Sequence, residues 1–369
     1  MPQRRRSPRD HVVLVPGFFA DDQRYFRDVD AAIRAGFERR GIDARVSTLR
    51  GRVTGSIRAR AASVLDLLRE RTHPGERVHL VGHSTGGLDA RLALVPEATL
   101  GVDFDPKPLR DRVRSVVTVG TPHRGTPLAS LLAGRLGDAF LGLACRLTER
   151  LCGAGGSGWT ATLGRAVGAR ARRLLSNPSI GPAAAPLLGL MEGPERAEEI
   201  GRLARHLYAD RGVLRQLTPE SLDLFDAATP MPAGVRYGSV VLGAPAPLPG
   251  VNDLYTLLHG VVAAGAAPLT LPGEIGARLE RALGVAVEPH TSDGVVPVTS
   301  QVWGDLVWAG AADHVDAIGL YEGSPEGDFL ESRSRFDAAR FASLWRRVAD
   351  YLAPSSVPLR AAPLLAEAV

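Results

Sequence analysis

A serine set between glycines, an aspartate in a loop and the last histidine of the chain are the residues here that could do chemistry together. Ser84 lies in the run VGHSTGG, residues 81–87, and Gly82-His83-Ser84-Thr85-Gly86 fits the pattern G-x-S-x-G. A plain helix cap calls for a hydroxyl but for no glycine. A nucleophile held at a sharp strand-to-helix turn calls for both, because side chains two residues either side would collide with neighbouring backbone. The run RVHLV ahead of the motif reads as the strand, and GGLDARLALV behind it as the helix. Ser84 is therefore read as a nucleophile rather than as a cap.

A serine hydroxyl attacks poorly until a base takes its proton, and the base needs an acid to orient it. One recurrent chain order for such a set is serine, acid, histidine. Nine histidines compete. His11, His79, His83 and His123 precede Ser84, crowd it, or fall inside strand and loop segments. His73 sits in a turn, and His206 and His259 lie on helical stretches. His290 comes before any convincing acid and reads as structural. His314, in WAGAADHVDAIG, lies in a loop between a late strand and a helix. For the acid, Asp293 in TSDGVVPVTSQ stands 21 residues ahead of His314. Asp305, Asp313 and Asp316 are rivals: the first begins a strand, and the other two nearly adjoin the histidine, which makes the return geometry awkward. Asp293 is preferred. An oxyanion needs backbone N–H donors, each worth about 3–4 kcal/mol when removed. Thr85, at the start of the helix, is one candidate. Phe18, in VPGFF where Gly17 lets the chain turn, is the other.

These residues need a scaffold, and the hydrophobic pattern describes one. HVVLVP, DARVSTL, RVHLVG, VRSVVTVGTP, VRYGSVVLG and GDLVWAG read as strands. Helical patterns cover residues 22–40, ended by Gly41, then 56–71, and finally 335–352. Such alternation predicts an α/β fold, a mostly parallel sheet with helices on both faces. The core is assigned to residues 11–127 and 234–353, behind a basic tail over 1–10 and ahead of a C-terminal tail over 354–369. Residues 128–233 read as a helical cap or lid, with Thr218-Pro219-Glu220 starting one helix. Residues 244–290 read as a second, apolar insertion within the core.

Composition narrows the function classes. The chain has 369 residues, of which 45% are hydrophobic, enough for a sizeable core. Its net charge of +4 comes from arginines interleaved with acids, so nucleic acid is not an expected partner. No run is long and apolar enough to predict a transmembrane segment, and no signal peptide is read at the start. The expected location is cytoplasmic. Cys145 and Cys152, on one helical pattern, would be roughly 10 Å apart, and read as buried thiols rather than a disulfide.

Taken together, VVLVPGF, VGHSTGGLDARL, VVTVGTPHRGTPLA, SDGVVPVTS and DHVDAIG resemble the bacterial triacylglycerol lipases of the α/β-hydrolase superfamily. They stand in the family's order and anchor most of the chain, while the segments between them match poorly. TPHRGT, just after a central strand, is a telling companion to the serine motif. The resemblance implies an α/β-hydrolase fold, Ser84 as nucleophile, Asp293 as acid, His314 as base, and Phe18 and Thr85 as oxyanion donors. It implies hydrolysis of acylglycerols or other lipid esters through an acyl-enzyme, with transient contact at a lipid interface and no cofactor required for the chemistry. A small-ester esterase or a lipid acyltransferase would use the same residues, and a hydrolase-like binding protein without activity is the reading from another class. The chain departs from the family at Pro16-Gly17, where His-Gly is usual. Many members hold a structural calcium beside the catalytic histidine; the resemblance implies Asp316 and Glu274 as its ligands, while two solvated acids remain the alternative.

Overall fold

The computed structural model describes residues 10–17, 26–50, 55–134, 212–247, 254–325 and 327–353. Among the described residues, six strands form one sheet: β1 Asp10–Val15, β2 Ala44–Thr48, β3 Arg77–His83, β4 Val113–Val119, β5 Arg236–Leu242 and β6 Asp305–Gly310. Their order is β2-β1-β3-β4-β5-β6, and every neighbouring pair is parallel. Parallel neighbours cannot be joined by tight hairpins, so the chain must cross over one face between strands, and helices serve as the crossovers.

The helices described are α1 Arg27–Glu38, α2 Ile57–Arg71, α3 Gly86–Leu94, α4 Lys107–Arg110, α5 Pro127–Ala133, α6 Gly212–Gln216 and α7 Pro219–Ala228. After β5 come α8 Leu254–Gly265, α9 Gly273–Leu283, α10 Val298–Gln301 and α11 Ala338–Leu352. Side chains alternate across a strand, and β1 divides its valines and leucine accordingly. Val12 and Leu14 join a core with Ile33 and Phe37 of α1 and with Leu344, Trp345 and Val348 of α11. Val13 and Val15 join the opposite core with Leu65 and Leu68 of α2 and Ala90 and Leu94 of α3. All six residues of β1 are buried, which is why the strand reads as a continuous apolar run.

Local signals set the ends of these elements. The helix expected over 22–40 is seen as α1, and the turn after it uses Gly41 at φ +67. Thr218 caps α7, its hydroxyl accepting from the Ser221 N–H. Asp337 caps α11 in the same way, through Arg340. The 244–290 stretch carries α8 and α9, and α9 presses Leu279 against Val241 of β5 and Leu306 of β6. Cys145, Cys152, most of the 128–233 segment, all of the basic tail but Asp10, and the 354–369 tail lie outside the described residues. No helix among the described residues is long and apolar enough to cross a membrane.

Candidate active site

The chain leaves β1 toward β2 on one side and returns to form β3 on the other. That reversal makes the carboxyl ends of β1 and β3 a topological switch point, the usual place for a site in an open α/β sheet. Ser84 follows β3 directly, and Pro16-Gly17 follow β1. Ser84 has φ +54, in the left-handed region. A non-glycine residue pays for that conformation and keeps it only where its surroundings impose it. They do so here: the Ser84 N–H donates to the Val119 carbonyl at 2.8 Å, and Thr121 Oγ1 donates to the Ser84 carbonyl at 2.8 Å.

The flanking glycines make the turn possible. A Cβ on Gly86 would lie 2.1 Å from the Val15 carbonyl oxygen, and one on Gly82 would lie 2.5 Å from Gly87 Cα. Both clashes are with backbone, which cannot swing aside. Gly17 is as constrained from the other side, since its Cβ would come within 2.5 Å of Ser84 Cβ. The loop that leads into Phe18 therefore lies directly on the serine.

Ser84 Oγ is 3.0 Å from His314 Nε2, and His314 Nδ1 is 2.7 Å from Asp293 Oδ2. Relative exposure falls from 8% at Ser84 to 6% at His314 and 0% at Asp293. The Asp293 carboxylate has its other oxygen occupied by the N–H groups of Val295 and Val296, at 2.9 and 2.7 Å. Its backbone carbonyl also accepts from the His314 N–H at 3.0 Å. His83 backs the histidine: its Nε2–H donates to the His314 carbonyl at 2.8 Å, and the two rings lie 4.9 Å apart. Burial, reinforced by His314, pushes the His83 pKa down to about 3, so its imidazole stays neutral.

The TPHRGT segment ties the serine turn to the aspartate loop. His123 donates its backbone N–H to the Ser300 carbonyl at 2.9 Å, Ser300 Oγ donates to the Gly125 carbonyl at 2.8 Å, and Thr126 Oγ1 donates to the Val295 carbonyl. On the other flank, Arg60 of α2 joins the first loop to α3. Its guanidinium pairs with Asp89 at 2.6 Å and donates to the Pro16 carbonyl at 2.7 Å. Thr85 stands immediately ahead of α3, where N–H groups have no helical partner and favour negative charge. Phe18 lies outside the described residues.

A second Ser–His–Asp contact exists at the opposite ends of the strands, and it shows what such a set needs beyond proximity. His79 bonds to Ser115 Oγ at 2.7 Å and to Asp10 Oδ1 at 3.1 Å. Ser115 and Asp10 are wholly buried, and Arg77 clamps the aspartate. Ser115 sits inside β4, beside a shift in its register with β3 but without a helix end or a turn. This group has no room for a substrate.

Carboxylates gather on the far side of His314. Asp313, Asp316 and Asp328 each bring an oxygen within 4.8 Å of the others, a group that could hold a metal ion. Asp313 Oδ2 and Asp316 Oδ1 are buried without a hydrogen-bond partner. Burial lifts both pKa values, and for Asp316 the neighbouring Asp313 charge lifts it further. Unpaired buried carboxylate oxygens fit a hard cation. Of the two acids expected at a calcium, Asp316 lies in this group and Glu274 does not. Glu274 is exposed in the first turn of α9, and α9 packs on the sheet face of Val241. The turn after Asp316 packs on the opposite face, beside Val240 and Leu242. The sheet separates the two acids.

Structures of similar shape place the architecture. A metagenomic carboxyl esterase, MGS0156, is 18% identical with a TM-score of 0.52, over 94% of this chain and 76% of its own. A Staphylococcus hyicus lipase is 16% identical with a TM-score of 0.53, over 94% and 96% of the two chains. Lipase 1 from Pelosinus fermentans is 15% identical with a TM-score of 0.51, over 95% of this chain and all of its own. The fold is that of the α/β-hydrolases. These matches spread over esterases and lipases and do not single out a triacylglycerol lipase family. A family model described as the conditioned medium factor C-terminal domain matches residues 62–173, a span that includes Ser84. No curated protein matches the chain. Within the α/β-hydrolase fold, Ser84 stands on the β3-to-α3 turn and Asp293 and His314 on the loops after α9 and β6.

Proposed function

We propose that the protein is a serine hydrolase of carboxylic esters, with acylglycerols or other lipid esters as its substrates. The observation that carries this reading is the chain of contacts from Ser84 Oγ through His314 to Asp293, anchored on a strained turn at a helix start. His314 Nε2 takes the Ser84 proton as Oγ attacks the ester carbonyl, and Asp293 holds the imidazole in the tautomer this requires. The N–H groups of Thr85 and Phe18 receive the developing oxyanion. His314 then returns the proton to the departing alcohol, and water, deprotonated by the same nitrogen, releases the acid from Ser84. The choice of lipid esters rests on the resemblance of the motifs and on the apolar segment around α8. Turnover of p-nitrophenyl esters from acetyl to palmitoyl tests it. Rates that hold or rise toward the long chains are expected. Turnover confined to acetyl would make the protein a small-ester esterase, and no turnover of any ester would overturn the reading.

Asp313, Asp316 and Asp328 are the residues that would hold a calcium ion. When bound, the ion would neutralise three clustered carboxylates and steady the loop that carries His314. The expected result is a calcium-dependent rise in melting temperature that Asp316→Asn abolishes, since an ion that binds only the folded state stabilises it. An unchanged melting temperature in wild type would remove the ion from the account.

A further inference from the structure

Gln301 is the last residue of α10, a side chain with no exposed surface. Its carbonyl oxygen accepts from the Leu242 N–H at 2.8 Å. Its amide nitrogen lies 3.0 Å from the Leu242 carbonyl, 3.1 Å from the Val296 carbonyl and 3.2 Å from Asp293 Oδ2, so its two hydrogens serve three acceptors and one of them is shared. One amide thus pairs both polar backbone groups at the carboxyl end of β5 and reaches the carboxylate in the loop that follows α9. Asp293 Oδ2 is the same oxygen that His314 Nδ1 contacts.

From this geometry we infer that Gln301 is a positioning residue for the proposed reaction: it fixes the Asp293 carboxylate against β5 so that Oδ2 faces His314. The inference rests on the Ser84–His314–Asp293 reading and deepens it. Three constraints act on the carboxylate besides His314. The N–H groups of Val295 and Val296 hold Oδ1, and Gln301 alone links Oδ2 to the sheet among the contacts described for that oxygen. Without the amide, rotation about the Cβ–Cγ bond is opposed by the loop's own N–H groups and by His314 itself, with nothing from the sheet, and the loop loses the Gln301 tie to Leu242. Gln301 touches neither Ser84 nor any group that would contact an ester, so its loss acts through the orientation of the imidazole. A misplacement on the order of 1 Å can cost about 100-fold in rate.

The test uses Gln301→Met, which keeps the volume and removes both polar functions, and Gln301→Asn, which keeps the amide and withdraws it by one methylene. Each is assayed with wild type and Ser84→Ala on one p-nitrophenyl ester. Each is also followed by the far-downfield proton resonance of the His314 imidazole N–H. The expected result for both variants is a fall in kcat of roughly 10- to 100-fold with KM little changed, together with a displaced or broadened resonance. A merely structural role would lower the melting temperature and leave the resonance and kcat of the folded fraction alone. If Gln301→Met does not fold, Gln301→Asn decides. Wild-type kcat and resonance in either folded variant overturns the positioning role. Ser84→Ala as active as wild type overturns the triad reading instead, so the two failures are told apart.

Discussion

Replacing Ser84 with alanine is expected to lower kcat/KM for a p-nitrophenyl ester by at least about 10⁴-fold, with the melting temperature close to that of wild type. Removing a triad serine elsewhere costs on the order of 10⁶-fold, and what remains comes from the oxyanion donors and from binding. The exchange removes one oxygen, the atom 3.0 Å from His314 Nε2. It creates no new clash, because the Cβ that approaches Gly17 is already present. Alanine also inherits the same left-handed backbone at φ +54, so it neither relieves nor adds much strain. A large kinetic loss on an intact fold is therefore the specific signature. A variant that retains a tenth or more of the wild-type rate would place the nucleophile elsewhere.

Arg60→Met carries the largest expected loss of stability, about 3–5 kcal/mol at neutral pH, the usual result of stripping a buried charge of its partner. Arg60 and Asp89 are both buried, with the guanidinium spanning Asp89 and the Pro16 carbonyl. Burial pushes the Asp89 pKa up to about 6 even with Arg60 beside it. A carboxylate whose folded pKa lies above its unfolded value of 3.8 is tolerated best in acid, and its contribution declines as pH rises through about 6. Taking Arg60 away extends that decline to higher pH. The deficit of the variant should thus be small near about pH 4 and grow toward about pH 8. Urea unfolding at several pH values measures it, and a deficit independent of pH would mean that Asp89 is not the group left exposed to the loss. The same exchange frees the Pro16 carbonyl, one residue before Gly17, so the loop leading into Phe18 loses a tie to α2.

Sequence alone carries the parts of this site that depend on neighbours in the chain. The turn at Ser84 is legible in seven residues because one clash it avoids is local, Gly82 against Gly87, although Gly86 makes room for a distant neighbour, the Val15 carbonyl at the end of β1. The six strands are legible for the same reason, as apolar runs separated by helical patterns. Asp293 and His314 are legible only through their loop setting, and the fold is what brings them 2.7 Å apart. The residues that sequence reading misses act across the chain. Gln301 ends the plain run VTSQ, and nothing in its neighbourhood points to Leu242, 59 residues earlier. Arg60 lies on one face of an ordinary amphipathic helix, and its partner Asp89 is on another. Asp328 reaches the Asp313–Asp316 pair from a segment without secondary structure. Glu274 lies away from that group for the complementary reason: chain spacing does not say on which face of a sheet a helix will pack.

If Ser84 is the nucleophile of an acyl-enzyme mechanism, the mass of the protein after treatment with a fluorophosphonate reports it directly. Such a probe forms a covalent bond only with a serine whose proton is being taken by a base. One adduct per chain is expected, mapped to Ser84 by peptide mass spectrometry, and none in Ser84→Ala. An unlabelled wild type, or an adduct that persists in Ser84→Ala, would contradict it.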